Sequence, residues 1–268
     1  MHTAVRRAAL AVPILIALAV GSGGGSSIAA AAPAALGQPT GPDTTSAAVM
    51  VDPNANLRPT AGSENDSWYD VLHIAAGGHQ YGAVFHYLQL NTASMSVSDV
   101  SLVDETTGWY TSSELRLAAG EGLSDTGGVN IHTDNMTWTG DATAMQVQAV
   151  FPEGVLNLTT RPTGPVLYNM GTGYFPLFDG NHYPQYEYAF PTMTTTGTLT
   201  LNGQTDQVTG QTWFDRQSGP QPASLSKGQA SWTWMDLNLS MATDLVVRPG
   251  SSGPGVRRQS VRHEVTRG

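Results

Sequence analysis

The chain has 268 residues, a formal net charge of -9 and a sequence pI near 5.0. It contains no cysteine, which excludes disulfides, thiolate metal sites and lipid attachment through a cysteine. Between residues 36 and 243 the only bases are Arg58, Arg116, Arg161, Arg216 and Lys227, so the acidic surface argues against nucleic acid and anionic membrane as partners.

Residues 1–35 read as a signal peptide. Arg6 and Arg7 give a positive start, and the apolar run Ala8–Val20 is too short to span a bilayer as a stable helix. Small residues follow, with cleavage options between Ala29 and Ala35. Export then predicts a secreted protein, or a periplasmic one in a host with an outer membrane, with no stable membrane insertion. Residues 36–63, rich in Pro, Ala, Thr and Asn, read as a flexible leader.

Residues 64–230 carry short alternating runs at the spacing of an all-β sandwich or barrel. Val71–Ile74 and Gly82–Leu90 predict a hairpin around Gly77-Gly78. Met145, Val147 and Ala149 alternate with Gln146 and Gln148, and Gly154–Thr160 is the expected partner strand. Tyr183–Phe190 puts Tyr186, Tyr188 and Phe190 on one face and Gln185, Glu187 and Ala189 on the other. Leu199 and Leu201 alternate with threonines up to Asn202-Gly203, residues that tolerate the positive φ of a two-residue hairpin turn. The returning strand carries Val208, Gly210 and Thr212 and ends in Trp213, Phe214, Asp215 and Arg216. Trp232, Trp234 and Asp236 share one strand face beyond it. Residues 241–268 turn basic, lack apolar periodicity and read as a disordered tail. Sequons stand at Asn65, Asn135, Asn157 and Asn238.

The segment GTLTLNGQTDQVTGQTWFDRQSG, Gly197–Gly219, resembles the signature of the hydroxyneurosporene synthase/AttH-like family. Trp68-Tyr69 with Tyr81-Gly82, the run DVSLVDETTGWY at Asp99–Tyr110, Asn169–Tyr174, Tyr188–Pro191 and Trp232–Met235 resemble its other ordered segments. The resemblance covers roughly residues 64–240. It implies a lipocalin-like antiparallel β-barrel or sandwich, the first half of a two-barrel architecture, with residues 231–240 as the first strand of a second half. Ser240-Met241-Ala242-Thr243 stands where Ser-Asn-Gly-Asp would continue that half. Loss of one base from AGC AAT GGC GAC gives this reading, so a frameshift is expected there. Trp232–Leu239 would then be an edge strand offering a dimer contact.

The resemblance also implies an activity. It points to a hydro-lyase that hydrates a double bond of an apolar isoprenoid or polyketide-like compound. A non-catalytic carrier of an apolar ligand and a Diels-Alderase-like cyclase remain as alternatives. Asp215 is the expected catalytic acid: beside aromatic rings it would lose hydration and hold a proton. Trp and Tyr faces can stabilise the cation formed when an alkene is protonated. The candidate substrate-binding residues are Trp68, Tyr69, Tyr186, Tyr188, Trp213, Trp232 and Trp234. Large aromatics are more often core than ligand contacts, and Asp215 with Arg216 also reads as a structural pair at a strand end. His73, His79 and His86 match no metal-ligand spacing, so no metal and no cofactor are expected. The chain has no G-x-S-x-G elbow, phosphate loop or dinucleotide fingerprint. The partner expected is a small apolar molecule.

Overall fold

The computed structural model describes residues 49–178, 183–220, 244–247 and 261–264. The expected signal peptide, His182, Trp232, Trp234 and Asp236 lie outside the described residues.

Twelve antiparallel strands build one sheet. They are β1 (Asn65–Ala76), β2 (His79–Leu90), β3 (Met95–Asp104), β4 (Tyr110–Ala118), β5 (Val129–His132), β6 (Met136–Asp141), β7 (Ala144–Phe151), β8 (Gly154–Pro162), β9 (Leu167–Tyr168), β10 (Tyr174–Phe178), β11 (Tyr183–Leu201) and β12 (Gln204–Gly219). Their order is β4-β3-β2-β1-β12-β11-β8-β7-β6-β5, with β9 and β10 also paired to β11. The expected hairpins are present. β1 and β2 turn at Gly77-Gly78, and β7 pairs with β8. Leu201 faces Gln204 across Asn202 (φ 50) and Gly203 (φ 84), the positive-φ pair of a tight turn.

Alternation decides which side is dry. Along β1, Trp68, Leu72 and Ile74 are buried on the inner face, and along β7 Met145, Val147 and Ala149 are buried while Gln146 and Gln148 are exposed. Phe85, Leu102, Trp138, Tyr188, Phe190 and Phe214 join them in one core. Fully burying a side chain of this kind contributes about 1.5–3 kcal/mol, so this face supplies most of the drive to fold. A bulge in β11 between Phe190 and Met193 adds a residue, which lets both side chains enter the core despite their odd spacing.

The sheet curls until its two ends meet through side chains. Asn135, in the β5–β6 turn, donates from Nδ2 to the carbonyls of Ser98 (3.1 Å) and Ser113 (2.8 Å). Its Oδ1 accepts from Ser98 Oγ (2.7 Å) and Thr133 Oγ1 (2.9 Å). This sequon asparagine is therefore a buried stitch between β3–β4 and β6.

Two segments expected to be irregular carry order. Leu57, at the end of the expected leader, is fully buried, and its carbonyl accepts from Trp68 Nε1 (2.6 Å). A lone apolar residue in a polar run gains enough from burial to dock it. In the basic tail, β13 (Asp244–Val247) pairs antiparallel with β14 (Val261–Glu264). Leu245, Val246 and Val247 favour an extended chain. Among the described residues no helix is long and apolar enough to cross a membrane.

Candidate active site

The strand end Trp213-Phe214-Asp215-Arg216 sends alternate side chains to opposite faces. Phe214 and Arg216 point to the inner face; Trp213 and Asp215 point to the outer one. Register then fixes the outer neighbours. Asp215 lies opposite Tyr69 on β1 and Ala189 on β11, and Tyr69 lies opposite His86 on β2. Residues directly opposite on antiparallel strands have Cβ atoms about 4.5–5.5 Å apart, so these form a connected row. His86 extends it to Asp99 on β3 and Glu114 on β4.

The row is tied together by specific contacts. Trp213 Nε1–H donates to Asp215 Oδ1 at 2.6 Å, a short bond that fixes the carboxylate and suits its charged form. Tyr69 meets the His86 ring edge-on at 5.0 Å, and His86 Nε2 lies 3.0 Å from Ser67 Oγ. Trp213, Ala189 and Leu167 make a small apolar cluster beside Asp215, which is only 7% exposed. Glu187 stands two residues before Ala189, on the same face, and is half-buried.

Burial sorts the acids. Glu187 is held well above the usual carboxylate range, first by burial and then by the charge of Asp215, against an opposing hydrogen bond from Asn169. Asp70 is raised in the same way, by complete burial and then by Asp215. Asp99 is pushed up to about 6 by burial and the nearby Glu114. Burial lowers the His86 imidazole to about 4, so it is neutral at physiological pH. Asp215 thus sits among carboxyl groups, Glu187 and Asp70, that burial and then its own electrostatic influence make harder to ionise. A site that sets the proton affinities of neighbouring carboxyl groups apart is the usual layout of acid–base chemistry.

The aromatic residues expected to share a pocket with Asp215 occupy both faces. Tyr69 and Trp213 are beside it. Trp68 is on the inner face, where its ring lies 4.0 Å beneath the Arg216 guanidinium. Tyr188 and Tyr186 are also on the inner face, opposite Arg216 and Ser218. Arg216 makes its ion pair with Asp66 at 2.6 Å, on the face away from Asp215. Strand parity is the reason: side chains of consecutive residues diverge, so Trp68 and Tyr69, or Asp215 and Arg216, cannot serve one pocket.

Asp70, Asp66, Ser67 and the role of His86 escaped the reading of the sequence. Asp70 was detectable: it takes the apolar parity of Trp68, Leu72 and Ile74, so alternation alone puts a carboxyl group in the core. Among the described residues no group of three or more His, Asp or Glu is arranged to hold a metal ion.

The fold and site define an all-β protein whose curled antiparallel sheet carries a carboxylate cluster at the end of its longest hairpin. A model of the AttH-like family matches residues 75–249, so the chain belongs to that family. Two solved structures are similar to it. Kievitone hydratase from Nectria haematococca superposes with a TM-score of 0.64 at 20% identity, covering 81% of this chain and 65% of its own. An AttH-type protein from Nitrosomonas europaea superposes with a TM-score of 0.56 at 16% identity, covering 65% of this chain and 57% of its own. This chain therefore spans less than two thirds of either neighbour. No curated protein sequence matches it.

Proposed function

We propose that this protein is a hydro-lyase, adding water to or removing it from a carbon–carbon double bond of an apolar, isoprenoid or polyketide-like compound. The observation that carries the reading is the carboxylate of Asp215, fixed at 2.6 Å by the Trp213 indole and set diagonally from Glu187 on the same face. Membership of the AttH-like family and the likeness of fold to a kievitone hydratase support it.

In this reading the acid role expected of Asp215 passes to Glu187, which is the proton donor, and Asp215 serves as the base. The π pair of the alkene forms a new C–H bond with its proton, leaving a cation on the neighbouring carbon and a carboxylate on Glu187. The rings of Trp213 and Tyr69 offer that cation their negative faces. Water bonds to the cation while Asp215 accepts the proton that water releases. Transfer of that proton from Asp215 to Glu187 restores both groups, so the cycle consumes one water and no net proton. Neutral His86 and Ser67, bonded to each other on the same face, orient the water in this reading. Export of the protein, supported by Arg6-Arg7 and the apolar run behind them, would bring this chemistry to extracellular compounds.

The test is a panel of prenylated phenols and linear isoprenoid alkenes in ¹⁸O-labelled water, scored for labelled alcohol. The wild-type protein is expected to form it, and Asp215→Asn and Glu187→Gln each to slow it by about 100-fold or more. Turnover retained in both variants contradicts the assignment. Cyclised product from wild type and Asp215→Asn alike would instead mark a pericyclase, and binding without turnover a carrier.

A further inference from the structure

Burial and the charge of Asp215 both oppose the anion that Glu187 becomes when its proton leaves. The neighbouring strands supply no cation to offset them. On one side Gln217 lies directly opposite Glu187, Asp215 lies diagonally, and Ser67, Tyr69 and His86 continue the same face on β1 and β2. His86 is neutral at physiological pH, its imidazole being lowered to about 4 by burial. On the other side β9 and β10 bring Leu167 and Phe175 to this face, opposite Ala189 and Gln185.

The opposing contribution comes from Asn169. Its side chain hydrogen-bonds the Glu187 carboxyl group in the sense that favours the charged form. An amide N–H can donate to a carboxylate, and hydrogen bonds to ionised groups are the stronger kind. Asn169 is only 8% exposed, so water competes little for this bond. The backbone around it is held in an unusual shape. The Gly173 N–H donates to the Asn169 carbonyl (2.8 Å), closing a turn over residues 169–173. Met170 (φ 55), Gly171 (φ 75) and Gly173 (φ 80) are all left-handed within it, and Met170 is not a glycine. Such a conformation persists where surrounding contacts over-determine the backbone. Two contacts do so here. The Gly173 carbonyl accepts the Glu187 N–H at 2.7 Å, which docks the turn on β11. The Thr172 carbonyl accepts the Met50 N–H at 2.7 Å, and Val51 packs so close to Gly173 that a Cβ there would overlap Val51 Cγ2.

We propose that Asn169 is a positioning residue for the hydration: its side-chain amide fixes the Glu187 carboxyl group and donates to the carboxylate that proton transfer leaves there. The proposal rests on the reading of Glu187 as the acid. Without the amide, burial and Asp215 act unopposed, and Glu187 gives up its proton less readily. Protonation of the alkene slows, and the pH above which activity falls moves up.

Two measurements on the full chain test this, with Asn169→Ala and the similarly shaped Asn169→Leu. The first is a ¹³C NMR titration of protein labelled at glutamate Cδ, with the Glu187 signal assigned by its loss in Glu187→Gln. The Glu187 midpoint is expected to rise by about one pH unit or more in both variants, as for loss of one charge-assisted hydrogen bond. The second is the pH profile of alkene hydration. There kcat is expected to fall roughly three- to tenfold with KM little changed, and the alkaline limb to move up with the NMR midpoint. A merely structural asparagine would leave midpoint and limb where they are. The titration needs no substrate. A raised Glu187 midpoint in a protein that hydrates nothing would support the coupling and contradict the hydratase reading, while an unmoved midpoint in an active, folded variant would overturn the proposal alone. Loss of the cooperative thermal transition in both variants would overturn it too, marking Asn169 as a residue of the fold.

Discussion

Asp70 stands out among the described residues for its surroundings. It faces Phe85 and Phe214 in register, is fully buried, and neither carboxyl oxygen has a hydrogen-bond partner among the described residues. Its folded pKa is raised well above that of the unfolded chain, so the folded state holds the proton more tightly. Its contribution to stability is therefore fully present below the unfolded carboxylate value and declines as pH climbs from there toward the folded one. A tenfold difference in proton affinity between the two states is worth about 1.4 kcal/mol. Thermal unfolding of wild type against Asp70→Asn isolates this group from Glu187 and Asp99, which are raised too. The wild-type midpoint is expected to fall relative to the variant between pH 4 and pH 8, and parallel curves would exclude an ionisation penalty at this position. Arg216 and Asp66 show the opposite arrangement, in which two buried charges satisfy each other at 2.6 Å. Even so, burial outweighs the guanidinium and leaves Asp66 raised.

Elements carry the information that sequence shows best and worst. Asn202-Gly203 was legible because only a few residues tolerate two successive positive φ values. Gly203→Ala meets no steric neighbour, yet it must adopt φ near 84°. It is expected to cost about 1 kcal/mol, read as a lowered urea midpoint at an unchanged slope. The dry face of β7 and the hairpin of β1 with β2 were legible for a similar reason: period-2 alternation maps directly onto burial. The bulge at Pro191-Thr192 was not legible, because its signal is a register shift between strands rather than a pattern within one. Nor was the stitch at Asn135, whose partners Ser98 and Ser113 lie far away in sequence. Asn135→Ala is expected to destabilise by about 2 kcal/mol or more, since it removes hydrogen bonds and strands buried carbonyls. An unchanged unfolding midpoint would show that the sheet closes without it. Of the site, Asp215, Trp213 and Tyr69 could be picked out by their motif and by aromatic character. Glu187 appeared only as a member of the second face of its strand. Its partnership with Asp215 depends on the β11–β12 register, which no local pattern encodes.

For the whole molecule, the two faces of one curled sheet divide the labour. The inner face folds the chain and carries the Arg216–Asp66 ion pair; the outer face gathers Asp215, Glu187, Tyr69 and His86 at the end of the longest hairpin. In the proposed reaction the outer face protonates an alkene carbon and delivers water to its neighbour. Because Glu187 acts in its protonated form, activity is expected to fall as pH rises through its elevated pKa. The most direct measurement is NMR of the product formed in deuterated water from a prenylated phenol. The account predicts one solvent-derived C–D bond per new hydroxyl group, on the carbon next to the one that bears the hydroxyl, and its loss with Glu187→Gln. A hydroxylated product without carbon-bound deuterium, or full deuterium incorporation by Glu187→Gln, would contradict it.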